Sequence, residues 1–266
     1  MNQSTAAYPV INSPSKAPAL TLIKDGQRPV HYNKDGSVDG RSVNRNRKPV
    51  GKSSEVFAFT SFDQINAMNA ILDDRIENSV GLEHKMACRN KLLFNVGINV
   101  GLRASDLRVL KWSFFFEDET LMVKDHESIM PKKQRKQHKF VKIFCNDNVV
   151  KALNQYMEQY PVENLDDYLF FSRKGNEPMT EWTMWDIIKK TAIQAGIKQN
   201  IGTHSLRKTF GYWAYHLAAD KSEALVRLQQ IFRHDNPITT MRYIGIYDNE
   251  LKSVFDSLNF GEDYLQ

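Results

Sequence analysis

Two arginines, two histidines and a tyrosine, spread over three short segments, are the residues of this 266-residue chain whose types and spacing suit chemistry on a phosphate. The first segment is Gly101-Leu102-Arg103-Ala104-Ser105-Asp106-Leu107. A glycine turn followed by a serine-capped helix presents Arg103 from a helix N-terminus, where free backbone N–H groups already favour an anion. The second is Thr203-His204-Ser205-Leu206-Arg207-Lys208-Thr209-Phe210. On a helix starting here His204 and Arg207 share a face and reach one ligand, and the planar arginine fork donates two parallel hydrogen bonds to a phosphate. The third is Phe232-Arg233-His234-Asp235-Asn236-Pro237-Ile238-Thr239-Thr240-Met241-Arg242-Tyr243, where Asn236-Pro237 opens a new helix and Tyr243 falls nine residues past His234. Taken singly each is ordinary: Arg103 a surface arginine, His-x-x-Arg a common pair, Tyr243 a core aromatic. Together they supply a nucleophile, positive charge and proton carriers, the parts that phosphodiester cleavage without a metal needs.

The elements that must position these groups are mostly helical. Ser61 with Gln64 reads as a capping box, and Phe62, Ile65, Met68, Ile71 and Leu72 form an apolar stripe at helical spacing. A second helix is expected over His84 to Val100 and a third from Ser105. From Trp112 to Ile143 the pattern changes: Phe114-Phe115-Phe116, Leu121-Met122-Val123 and Phe140 to Phe144 flank polar segments, which predicts a small antiparallel sheet. Helices resume over Asn148 to Tyr160, Thr180 to Ala195 with Gly196 as C-cap, Ser205 to Ala219, Ser222 to Phe232, and from Ile238 onward. After Tyr243 the residues Ile246, Leu251, Val254, Phe255, Leu258 and Phe260 continue an apolar stripe, suited equally to packing on its own domain and to docking on a neighbour.

Charge is distributed unevenly. The net charge is +5, and residues 1–52 alone carry nine Lys or Arg against three Asp, leaving the remainder close to neutral. This stretch is rich in Ser, Pro, Asn and Gly and reads as an extended arm (1–52) ahead of a globular domain (53–266). A second basic run holds Lys132, Lys133, Arg135, Lys136, Lys139 and Lys142 with no acid between them. Such runs are more often solvated surface than a ligand site, and they gain meaning only because the chemistry elsewhere calls for phosphate. No apolar stretch is long enough to span a bilayer, and the start lacks the pattern of a secretory signal, so a cytoplasmic protein is expected, nucleoid-associated if the source is bacterial. Cys88 and Cys145 read as reduced core residues.

The three segments together resemble the catalytic domain of tyrosine recombinases, the lambda-integrase-like family. The family pattern is an arginine in Gly-Leu-Arg-x-Ser-Glu/Asp-Leu, then His-x-x-Arg about a hundred residues later, then His or Trp, then Tyr nine residues on, and here Arg103, His204 with Arg207, His234 and Tyr243 stand in that order. The resemblance covers Val56 to Asn259. It implies a mostly α fold with a small antiparallel β-sheet (α+β), and a site-specific recombinase that needs neither metal nor cofactor. By resemblance Tyr243 attacks the scissile phosphate, Arg103 and Arg207 clamp it, His204 and His234 donate to it or handle the tyrosine proton, and Asp106 supports the site. The family also uses a lysine on a β-hairpin, for which Lys133 is the best candidate, with Lys132 and Lys136 open. Implied partners are double-stranded DNA bearing recombination sites, and further copies of the chain, four at synapsis, joined through a tail helix at about 248–260.

Two departures stand out. Arg233 replaces the glycine that usually precedes His234, and the basic arm stands where relatives carry a helical core-binding domain. The arm is expected to track the duplex, with Arg41, Arg45, Arg47 and Lys48 on phosphates or in the minor groove, joined by Arg135, Lys139 and Arg242. The rival readings are a type IB topoisomerase, which shares the chemistry, and a catalytically silent DNA-binding protein of the same fold.

Overall fold

A helix that buries most of its apolar residues belongs in the middle of a domain, and the segment Gly81–Val100 does so from Ala87 on: Ala87, Cys88, Leu92, Leu93, Phe94, Val96 and Val100 are all buried. In the computed structural model, which describes residues 55–117, 122–129 and 141–258, this segment is α2, and α1 (Phe62–Glu77), α4 (Asp147–Gln159) and α6 (Thr203–His216) pack around it. Phe94 meets Phe59 edge to face at 5.5 Å, both rings fully buried, each contributing about 1.5–3 kcal/mol by leaving water. The arm residues Arg41, Arg45, Arg47 and Lys48, and the hairpin residues Lys132, Lys133, Arg135, Lys136 and Lys139, lie outside the described residues.

Side-chain caps start the helices where the sequence places them. Ser61 accepts from the Gln64 backbone N–H at α1, and the Gln64 amide accepts from Thr60 N in return. Asn146 caps α4, Thr180 caps α5 (Glu181–Gln194), Asp220 caps α7 (Lys221–Phe232) and Asn236 caps α8 (Pro237–Ile244), each worth about 1 kcal/mol.

Four expectations need correction. The third helix, α3 (Ala104–Leu107), is a single turn without a side-chain cap. Its N-cap residue is Arg103, because the N–H groups of Asp106 and Leu107 both donate to Arg103 O and draw the turn in ahead of Ser105. The triple phenylalanine does not form a strand throughout: Trp112–Phe114 is a 3-10 turn, and only Phe116–Glu117 pairs (β1), with Met122–Val123 (β2). Phe115 takes a helical conformation after that turn (φ −104°, ψ −24°), and both it and Phe116 are buried. The returning strand is as expected, Val141–Phe144 (β4), antiparallel to His126–Ile129 (β3). The sheet is not continuous, because a third ladder, Phe171–Ser172 (β5) with Gly175–Pro178 (β6), was not foreseen and pairs with neither of the others. Finally, the helix expected from Ile238 onward is two helices. Gly245, at φ 80°, ends α8 before α9 (Tyr247–Ser257) begins.

A smaller cluster of Tyr215, Leu228, Phe232, Ile244 and Ile246 holds α6, α7 and α8 together. Gly211 allows this closeness: a Cβ there would lie 2.6 Å from Ile244 and 2.7 Å from Phe232. No helix among the described residues is long and apolar enough to cross a membrane.

Candidate active site

Three turns converge on one place. α2 ends at Gly101, in the left-handed region at φ 63°, where a Cβ would also strike the Phe210 ring at 2.5 Å, so the position suits glycine on both counts. That turn delivers Arg103. From α6 comes Arg207, 4% exposed, whose guanidinium donates from Nη1 to Gly101 O and from Nη2 to Phe232 O at 3.1 Å while lying on the Phe232 ring at 4.3 Å. Arg103 Nη2 points at the same carbonyl, 3.4 Å away. Phe232 is the last residue of α7, and Arg233 ends the helix in the left-handed conformation (φ 53°, ψ 55°), turning the chain away and leaving Phe232 O open to both arginines. The negative end of a helix thus gathers the two cations.

The same turn places His234, and α8 then returns to it. Nδ1 of His234 lies 3.0 Å from the hydroxyl of fully buried Thr240. One turn further, the half-buried ring of Tyr243 meets His234 at 5.1 Å and Phe232 at 5.3 Å, both edge to face. Arg207 lies near enough for its positive charge to act on the Tyr243 phenol. His204, one turn before Arg207 on α6, is exposed at the edge of the group.

The electrostatics follow from crowding. Burial pushes the Tyr243 phenol up, and the charges of Arg207 and Arg103 pull it back. Burial lowers Arg207 to about 10; Arg103 works in the same direction, while Tyr243 and buried Asp106 hold it up. His204 is lowered by desolvation and then by Arg207, Lys208 and Arg103, against the opposing pull of Glu181. His234 is lowered by desolvation and then by Arg207 and Arg103, with Asp235 opposing. Both imidazoles are therefore neutral at pH 7 and available as proton acceptors.

A cleft of about 210 Å³ opens beside the arginines, lined by Arg103, Asp106, Arg207 and Phe210 and by Lys142, Phe144 and Asn146 at the foot of the β3–β4 hairpin. Arg242 is exposed, its guanidinium over the Tyr247 ring at 4.6 Å.

Residues 58–250 match the model of the phage integrase family. The chain belongs to that family. Its relatives include the "Probable integrase/recombinase YoeC" of Bacillus subtilis strain 168, 32% identical over 168 residues, 63% of this chain and 83% of that protein. The tyrosine recombinase XerD of Staphylococcus saprophyticus is 25% identical over 134 residues; the match takes in 45% of this chain and 44% of XerD, so the chain spans less than half of that relative. Among solved structures, the XerH site-specific recombinase bound to difH substrate superposes with a TM-score of 0.51 at 19% identity, covering 79% of this chain and 56% of XerH, and shows a shared fold. A site-specific tyrosine recombinase is therefore favoured over a topoisomerase or a silent DNA-binding protein.

Within this integrase-family domain the structure brings together Arg103, Asp106, His204, Arg207, His234 and Tyr243. Four participants escaped the sequence reading: the carbonyl and ring of Phe232, the Thr240 hydroxyl, Lys208, and Lys142 as a wall of the cleft. Lys142 had a signal, since in strand Val141–Phe144 it shares a face with Phe144 while Ile143 is buried on the other. Phe232 had none, because its part is played by a backbone oxygen.

Proposed function

We propose that this integrase-family protein cuts and rejoins DNA strands through Tyr243. The phenol oxygen attacks the scissile phosphorus; the P–O bond to Tyr243 forms as the P–O5′ bond breaks, leaving a 3′-phosphotyrosyl link and a free 5′-hydroxyl. A neutral imidazole, His204 or His234, takes the phenol proton, and Lys133, from the stretch of sequence between β3 and β4, gives one to the leaving oxygen. Arg103 and Arg207 bind the non-bridging oxygens as charge grows on them. One ester is exchanged for another, so the strand is resealed when a 5′-hydroxyl attacks in reverse, without an outside source of energy. The observation that carries this reading is the convergence of Arg207 and Arg103 on the Phe232 carbonyl, beside the Phe232 and His234 rings against which Tyr243 packs. Arm residues Arg41, Arg45, Arg47 and Lys48, with Lys132, Arg135, Lys136, Lys139 and Arg242, add phosphate contacts along the duplex, which a salt dependence of binding measures.

The test uses a pool of duplexes with a randomised core and a nick just downstream, so that the short cleaved fragment diffuses away and the adduct is trapped. The wild-type protein is expected to yield a covalent adduct at the DNA 3′ end, lost in Tyr243→Phe. An adduct that survives in Tyr243→Phe assigns the nucleophile elsewhere, and binding without any adduct leaves a silent DNA-binding protein.

Assembly is the second part of the proposal. α9 has no buried residue, and Leu251, Val254, Phe255 and Leu258 are 44–73% exposed on it. An apolar face left uncovered in the single chain suits docking on a neighbouring copy, four of them at synapsis.

A further inference from the structure

Lys208 is a buried lysine to which the phosphate chemistry gives no part. It follows Arg207 on α6 with 7% of its surface exposed. Its ammonium lies 2.9 Å from the Glu55 carboxylate and 5.5 Å from the centre of the Tyr243 ring. An ammonium taken out of water is unfavourable unless paired, so both contacts matter to its being there. Neither partner is loose. The segment carrying Glu55 is fastened alongside α6: Asn200 Nδ2 donates to Glu55 O at 2.7 Å, Phe57 N to Asn200 O at 2.9 Å, Phe59 N to the Thr209 hydroxyl at 2.8 Å, and Trp213 Nε1 to Phe59 O at 2.9 Å. Glu55 therefore acts as a fixed tether, and Lys208 spans from it to the phenol ring.

We propose that Lys208, held by Glu55, is a positioning residue for the nucleophile: its ammonium, seated over the Tyr243 ring, keeps the phenol oxygen turned toward Arg207 and favours the phenolate that attack requires. The inference rests on the reading of Tyr243 as nucleophile. A cation over an aromatic face is attracted by the ring electrons, and more strongly once the ring carries a negative charge. The charged and titratable groups around the phenol are Arg207, Lys208 and His204 from α6, Arg103 from the turn after α2, His234 and Asp235 from the turn before α8, Asp106 from α3, and Glu55 behind Lys208. Among these groups Lys208 places an ammonium over the Tyr243 ring, 5.5 Å from its centre, while His234 meets that ring edge to face.

Single-turnover adduct formation by the full chain on the nicked duplex pool, followed from pH 6 to pH 9.5, tests this. Lys208→Met keeps the stem and removes the charge. It is expected to react about tenfold more slowly, with DNA affinity within about twofold and the pH midpoint of the reaction displaced upward, and Lys208→Arg to recover most of the rate. Glu55→Gln, a milder change at an exposed residue, is expected to slow the reaction about threefold and covers the case of a poorly folded Lys208→Met. Unchanged rates in both variants overturn the proposal, as does a loss of rate that follows the folded fraction with the pH midpoint unmoved. Failure of the nucleophile assignment is distinguishable, because it appears as an adduct in Tyr243→Phe while Lys208 is intact.

Discussion

Replacing Arg233 by glycine and by alanine, and comparing the two, isolates a strain built into the active-site turn. Arg233 sits at φ 53° and ψ 55°, directly between the carbonyl that gathers both arginines and the imidazole beside Tyr243. The left-handed region costs a residue with a Cβ about 1–2 kcal/mol. Alanine removes whatever the guanidinium contributes but keeps that cost. Glycine removes both, at the expense of about 0.4–1 kcal/mol for a looser unfolded chain. Arg233→Gly should therefore be more stable than Arg233→Ala by roughly 0.5–1 kcal/mol, and for a domain of this size 1 kcal/mol corresponds to about 2–4 °C in Tm. Urea denaturation of both variants gives the difference directly, provided the slopes agree. Adduct formation by the glycine variant should stay within about threefold of wild type, since the Phe232 carbonyl keeps its place. A glycine variant no more stable than the alanine one refutes the argument, because it would mean that the turn relaxes rather than bearing the strain.

Two further outcomes are expected. His204 and His234 have folded pKa values below the ordinary 6.5, so the unfolded chain binds more protons as pH falls from 6.5 and stability declines, while bound phosphate favours the protonated rings. Between pH 7.5 and pH 6 urea midpoints should drop as Tyr243→Phe binds DNA more tightly at constant salt; affinity falling in step with stability counts against the placement of the histidines. Removing residues after Tyr247 should leave single-site binding intact and weaken pairing of two sites by sedimentation or gel shift, whereas unimpaired pairing assigns α9 no part in assembly.

How much the sequence disclosed varies with the kind of interaction. Local placements tied to spacing were legible: His204 and Arg207 stand on one helix and Tyr243 on a helix opened by Asn236-Pro237, and the fold brings them together with Arg103 and His234. The caps at Ser61 and Asn236 were legible for the same reason. The one-turn α3 and the β5–β6 ladder were not, since each depends on backbone hydrogen bonds or tertiary packing that no side-chain pattern records; the break at Gly245 had a signal that went unread, a glycine at a helix stop. Arg233 is the instructive case. The departure from glycine was visible as a letter, but its consequence, a strained left-handed cap that exposes Phe232 O, needed the backbone.

The backbone also decides how the phosphate site is kept ready. Arg207 is anchored by Gly101 O and Phe232 O, ends of two helices separated by more than a hundred residues in sequence, so its guanidinium is oriented before any DNA arrives. Burial lowers it to about 10, yet at pH 7.5 that leaves roughly one molecule in three hundred neutral, and the clamp stays cationic. Two guanidiniums held this close repel each other, and carbonyl dipoles offset the repulsion only in part. In the proposed reaction a phosphate in the cleft supplies negative charge, and the charge that develops on its oxygens during attack is greater than in the ground state. In that proposed reaction the repulsion between the two guanidiniums would be relieved most by the transition state, which is the condition for a site to speed a reaction rather than merely bind its substrate.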